Sequence, residues 1–124
     1  MVSYTKYSDI EVFEGKIAKH QYPWHFHYCY TLITVEKGSI NYEFEDKSLK
    51  LDEAEAIIIE PYKIHRNTIS QPTTYKALFL PNEYFDCAGQ NKLATEKLNH
   101  PNLVDSIVDL LNKIELHSSK KELK

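Results

Sequence analysis

Glycine is scarce in this chain, with three residues among 124. Loops that wrap phosphate groups rely on glycine, and no GxGxxG, GxSxG or Walker-type stretch is present. Dinucleotide binding, nucleotide hydrolysis and serine-hydrolase chemistry are therefore set aside. Cysteine is as rare: Cys29 and Cys87 cannot build a disulfide framework, and no CxxC pair offers a metal knuckle. Positive charge is not in excess, since 15 Lys and Arg against 18 Asp and Glu leave a formal charge of −3. That balance argues against a stand-alone DNA-binding domain. The longest aliphatic run, Ala56-Ile-Ile-Ile59, is too short to span a bilayer. Met1 to Asp9 lacks the apolar core of a signal peptide. The expectation is a cytoplasmic protein with reduced thiols and no membrane partner.

What is present suits a single folded domain: 42% hydrophobic residues, 27% charged ones and nine tyrosines. Residues 1 to about 81 read as strands. Tyr28 to Val35 is β-branched and aromatic, without Gly or Pro, as a central strand should be. Gly38 supplies the following turn. Ile40 to Glu45 alternates strictly, turning Ile40, Tyr42 and Phe44 toward a core. Ser48 to Leu51 alternates again, and Ala56 to Ile59 fits a strand buried on both faces. Pro61 ends that strand; Ile64 to Ile69 and Thr73 to Leu80 follow as strands. Short strands at even spacing with no helices between them predict an antiparallel sandwich or barrel. The carboxylates between Glu36 and Glu60 fall on turns and strand edges, where charge resists edge-to-edge pairing.

Residues 82 to 124 read as helix and tail. Apolar residues at 103, 104, 107, 108, 110, 111 and 114 form one stripe at helical period. Pro101-Asn102 gives the start signal, with Asp105 near the positive end of the helix dipole. After His117 the pattern ends, so residues 118–124 are expected to be a tail or linker.

Three histidines carry the chemistry. His25 and His27 enter a strand as an HxH pair and share a face, because residues i and i+2 of a strand do. The same parity groups Cys29, Thr31, Ile33 and Val35 with them, and puts Trp24, Phe26, Tyr28, Tyr30 and Leu32 on the opposite face. His65 follows a short turn and reaches the same space if the sheet closes. Each has a plainer role open to it: packing at a strand entrance for the pair, and fixing its own turn for His65. Thr31 and Tyr42 are either strand and core residues or ligand contacts; a buried tyrosine hydroxyl still needs a partner.

His25-Phe-His27, Gly38 eleven residues on, and Pro61-Tyr-Lys-Ile-His65 resemble the two motifs of the cupin superfamily. The stretch from Trp24 to Gly38, followed by Ala54 to His65, is most similar to the effector-binding and dimerisation domain of AraC-type transcriptional regulators. The resemblance covers about residues 10 to 117. It implies a mainly β fold: a small antiparallel, double-stranded cupin-like β-barrel followed by one or two C-terminal α-helices. Residues 1–20 would form an N-terminal arm and first strand, 21–81 the barrel, and 82–117 a helical dimerisation segment. The implied partners are a small-molecule effector, with a sugar as one class, and a second copy of the chain. DNA would be met only through a domain outside these residues. Three positions depart from the pattern: Thr31 where metal-binding cupins carry glutamate, Ala54 where a Gly opens the second motif, and Tyr62 where a Gly follows the proline.

The expected ligand-binding residues are His25, His27, Thr31, Tyr42 and His65. The expected dimer interface is Leu103, Ile107, Leu110, Leu111 and Ile114, a stripe that equally suits covering the barrel. No catalytic residue and no cofactor is expected. The alternative is a stand-alone metal-dependent cupin enzyme, with His25, His27 and His65 holding a divalent ion such as Zn or Ni; three histidines leave Zn an open fourth position.

Overall fold

The structure, a computed structural model, describes residues 2–7, 9–84, 94–98 and 102–122. It contains β1 (Val2–Tyr7), β2 (Ile10–Ile17), β3 (His20–His25), β4 (Tyr30–Lys37), β5 (Ile40–Phe44), β6 (Ser48–Leu51), β7 (Ala56–Ile59), β8 (His65–Ile69), β9 (Thr73–Leu80), β10 (Glu96–Leu98) and α1 (Leu103–Glu122). A single 3-10 turn, Asn82–Tyr84, follows β9. Among the described residues ten strands form two antiparallel sheets, ordered β1-β2-β9-β4-β7-β10 and β3-β8-β5-β6. This is the mainly β, antiparallel cupin-like architecture expected. Among the described residues no helix is long and apolar enough to cross a membrane.

The sheets face one another. Ile33, Val35, Ile57, Ile59, Tyr75 and Ala77 of the larger sheet pack with Ile40, Tyr42, Phe44, Leu51 and Ile69 of the smaller one. Side chains of a strand alternate between faces, so the intervening residues of the larger sheet must be buried on its other side. Ile10, Val12, Tyr30, Leu32, Ile58, Leu78 and Leu80 form a second cluster there, closed by Val104 of α1. That double burial explains why β4 reads as a continuous β-branched and aromatic run through Val35 and β7 as an unbroken apolar one, while β5 alternates.

Two turns carry left-handed backbone on residues other than glycine: Ala54 at φ 65° and Tyr62 at φ 64°. Both are positions where the superfamily pattern places glycine. A Cβ in this region costs about 1–2 kcal/mol. Each turn is held by a backbone bond, from Ala54 N–H to the Val35 carbonyl (2.9 Å) and from Tyr62 N–H to the His27 carbonyl (2.9 Å). Gly38, at φ 88°, occupies the turn expected of it; a Cβ there would lie 2.4 Å from Thr73 Oγ1.

The C-terminal region differs from its expected course in two ways. Glu96–Leu98, within the segment read as helical, is a strand pairing with β7. Lys97 bonds Glu55 there, and Thr95 and Glu60 bond each other, so the short strand completes an edge that periodicity could not signal. The helix also runs through Glu122, past the His117 boundary where a tail was expected. Helical backbone propagates one hydrogen bond per residue once nucleated and needs no apolar stripe to continue. Residues 85–93, with Cys87, lie outside the described residues.

Leu78 is fully buried between sheet and helix, whereas Leu110 is 57% exposed. Leu78→Ala is therefore expected to cost about 2–5 kcal/mol in chemical denaturation, and Leu110→Ala less than about 0.5 kcal/mol. Ala54→Gly, which relieves the left-handed Cβ, is expected to raise stability by up to about 1 kcal/mol in the same assay.

Candidate functional site

The site starts from strand register. In the β3–β8 pair, His25 stands opposite His65, after an irregularity between Tyr22 and His25 that re-aims the end of β3. The His25 and His65 ring centroids lie 4.3 Å apart. His27, in the link between β3 and β4, brings its ring to 5.0 Å from His25 and 5.6 Å from His65. The Tyr62–His27 backbone bond ties that link to the turn before β8.

Two of the rings are oriented by backbone. His25 Nδ1 is 2.7 Å from the Pro23 carbonyl, and His65 Nδ1 is 2.7 Å from the Lys63 carbonyl. A carbonyl can only accept, so Nδ1 carries the proton in both. With the proton on Nδ1, the neutral form of either ring has Nε2 as its acceptor. One ring nitrogen from each of the three histidines falls within a group spanning 4.8 Å. Burial, then the neighbouring His25 and His65, pushes His27 down from 6.5 to about 4. Burial also lowers His65, against the raising effect of its bond to Lys63, with His25 adding to the decrease. Both rings are neutral at pH 7.

The imidazoles close one end of a cavity of about 310 Å³ between the sheets. The larger sheet contributes Phe13, Thr31, Ile33, Tyr75, Ala77 and Phe79, with Tyr4 reaching over from the edge strand β1. The smaller contributes Tyr22, Pro23, Tyr42 and Asn67. The Tyr22 and Tyr75 hydroxyls sit 3.1 Å apart. Burial raises the Tyr42 and Tyr75 hydroxyls far above the ordinary tyrosine value, so both remain protonated. Among the described residues that line the cavity, none is Asp, Glu, Lys or Arg. The Thr31 hydroxyl is buried without a hydrogen-bond partner among the described residues. A buried hydroxyl left in that state is costly, and it marks a place where a bound molecule or water belongs.

All five residues singled out from the sequence, His25, His27, Thr31, Tyr42 and His65, line this one cavity. Cys29 does not, although strand parity had grouped it with the histidines. It lies outside regular strand, where the i, i+2 rule lapses; burial and Glu11 raise its thiol's pKa. Tyr30 is buried beneath α1, on the face opposite the histidines. Asn67, Tyr75, Ala77 and Phe79 were not singled out. Counting by two from His65 and Thr73 would have found them, because those strands keep regular register. Of the helix residues expected at an interface, Leu103 and Ile107 pack on the sheet and Leu110 is exposed. The side chains of Leu111 and Ile114 lie outside the described residues.

The AraC-like ligand binding domain family matches residues 7–124. No curated protein matches the sequence significantly. The AraC-like transcriptional activator CuxR shares the fold with a TM-score of 0.69 at 14% identity; 92% of this chain aligns with 45% of that one. A cupin superfamily protein from Desulfitobacterium hafniense aligns over 65% of this chain and 76% of its own, at 17% identity and a TM-score of 0.56. KdgF from a Halomonas species gives 19% identity and a TM-score of 0.57, covering 64% of this chain and 76% of its own.

The depressed histidines set a pH dependence. A group whose folded pKa lies below its unfolded value binds protons preferentially when unfolded, so stability falls as pH drops from about 6.5 through the folded value. For His27 that window runs from 6.5 down to about 4. In protein kept in chelator, the unfolding free energy is expected to be flat from pH 8 to 7 with respect to this group. It should then decline across the window, with a shallower slope in His27→Gln.

Proposed function

The chain belongs to the AraC-like ligand binding domain family, and on that premise we propose that it is the effector-sensing and dimerisation module of a transcriptional regulator, holding a small molecule between its sheets. The observation that carries this reading is the hollow itself: a cavity walled by aromatic rings, in which a buried hydroxyl with no partner among the described residues and two backbone-oriented imidazoles face one space. Few convergent polar groups in a mostly apolar concavity are what small-molecule sites are built from. A sugar, the effector class suggested by family resemblance, is one arm of the ligand screen below.

Ligand occupancy acts through β1 and α1. Tyr4 of β1 covers the cavity, and Tyr7 of the same strand donates its hydroxyl to Asn112 Oδ1 of α1. Lys76, one residue from the cavity-lining Tyr75 and Ala77, bridges Glu36 (3.0 Å) and Asp105 of α1 (2.8 Å). Burial alone would lower the Lys76 pKa, but the two carboxylates raise it above the ordinary lysine value. A ligand that favours one placement of β1 therefore shifts the population of helix placements. The exposed part of α1, with Leu110, is the surface proposed to meet a second copy, and DNA contact falls to a further domain. Spanning 45% of CuxR, the chain corresponds to part of such a regulator.

The test is thermal unfolding of the chain against sugars, small acids and aromatic compounds. A ligand bound only by the folded state raises the midpoint with concentration. At a hundredfold excess over its dissociation constant the stabilisation is about 2.7 kcal/mol. No shift with any class contradicts the sensor reading.

A second reading rests on the histidine cluster alone. Its nitrogens are close enough, and the Nδ1–carbonyl bonds of two rings oriented well enough, to hold a divalent ion such as Zn or Ni. That ion would supply Lewis-acid chemistry to a metal-dependent cupin enzyme. Thr31, in place of a carboxylate, leaves the set neutral, which weakens the case for an iron-type centre. Protein purified without a His tag should contain no stoichiometric metal if the sensor reading holds. Stoichiometric Zn, Ni, Mn or Fe, lost in His27→Ala, favours the enzyme.

A further inference from the structure

Polarity is segregated along the cavity. Thr31 pairs with Phe79 across β4 and β9 and stands at the imidazole end. One step along the same face, Ile33 pairs with Ala77, which pairs in turn with Phe13 of β2. That middle section is apolar. Beyond it the Tyr22 and Tyr75 hydroxyls bond one another at 3.1 Å, one proton of the pair being used in that bond. The facing wall adds the Asn67 amide and, paired with it across β5 and β8, Tyr42. A molecule with hydroxyls around its whole ring would therefore press several of them against hydrocarbon, where they would lose their water without replacement.

Charge is excluded as well. The two cations that flank His65 in sequence are engaged elsewhere: Lys63 with Asp46 at 3.1 Å, and Arg66 with Glu43 at 2.9 Å while lying over the Trp24 ring. A carboxylate or phosphate entering the cavity would find no counter-ion. The volume, about 310 Å³, lies at the small end of the roughly 300–1,000 Å³ span of ligand sites, enough for one ring and its substituents.

We propose that the cavity takes an uncharged, single-ring hydroxyaromatic compound, its adjacent hydroxyls seated on Thr31 and the imidazoles and its ring among Phe13, Ile33, Ala77 and Phe79. This rests on the effector-binding reading above and narrows it. The donor count fits: the bare Nε2 atoms of His25 and His65 accept from ligand O–H groups, and the Thr31 hydroxyl, free of any partner among the described residues, both donates and accepts. The flat walls suit an aromatic body, which stacks offset or edge-on against rings such as Phe79 and His27, themselves 5.2 Å apart.

The experiment is calorimetric titration of the EDTA-dialysed chain, under argon, with four probes: catechol, phenol, 3,4-dihydroxybenzoate and L-arabinose. Catechol is expected to bind roughly tenfold tighter than phenol, one added hydrogen-bonded hydroxyl being worth about that factor. It should also exceed the charged dihydroxybenzoate and the sugar. Thr31→Val should narrow the catechol-over-phenol ratio, and Thr31→Ser, which keeps the hydroxyl, should retain it; mis-packing alone would lower both probes together in both variants. Dihydroxybenzoate or arabinose binding as tightly as catechol overturns this ligand class and leaves the effector reading standing. Failure of all four probes, while the broader thermal screen finds another class, overturns this proposal alone. Failure in that screen too overturns the reading beneath it.

Discussion

Two hydrogen bonds from ring to backbone organise the site: His25 Nδ1 to the Pro23 carbonyl and His65 Nδ1 to the Lys63 carbonyl. Each holds an imidazole against the residue two positions earlier in its own chain. Cross-strand pairing then sets the two rings side by side, and the Tyr62–His27 bond adds the third. With Nδ1 engaged, what faces the interior is acceptor capacity alone. Electrostatics follow from that arrangement: burial and the neighbouring rings lower the His27 and His65 pKa values, so those two imidazoles are neutral at neutral pH.

The larger sheet explains how such a hollow is both stable and connected. Its inner face shares a core with the smaller sheet, and its outer face shares another with α1. Alternation along single strands links the two. Thr31 and Ile33 face the cavity while Tyr30 and Leu32 face the helix side; Tyr75 and Ala77 face the cavity while Leu78 and Leu80 do not. Any adjustment of β4 or β9 to a ligand is thus felt under the helix. The edge strand β1 does the same through Tyr4 and Tyr7. The hollow and the helix are two faces of one layer, and that is the physical basis for coupling occupancy to assembly.

Most of this was legible in sequence wherever period-2 patterning holds. Ala56–Ile59 emerges with the bounds expected, buried on both faces, and the HxH pair, Thr31, Tyr42 and His65 reach one cavity. What escaped was where regular pattern stops. Cys29 lies between strands, so parity misplaced it. Glu96–Leu98 is a three-residue edge strand fixed by Glu55, Glu60 and Ile57 from afar, with no local signature. Ala54 and Tyr62 were visible as departures from a glycine pattern, but not that the backbone keeps its left-handed turn without glycine. Their hydrogen bonds run to the Val35 carbonyl of β4 and the His27 carbonyl of the β3–β4 link, both outside any short window of sequence.

Everything in the site turns on the Nδ1–carbonyl bonds of His25 and His65, which leave Nε2 of each ring as the atom offered to a ligand. Long-range proton–nitrogen NMR correlation of the ring nitrogens, recorded at pH 8 on chelator-treated protein, tests it most directly. His25 and His65 are expected with Nδ1 protonated and Nε2 bare, the Nε2 resonances moving when an effector is added. Protonation at Nε2 in these two rings, or Nε2 signals indifferent to every bound ligand, would contradict it.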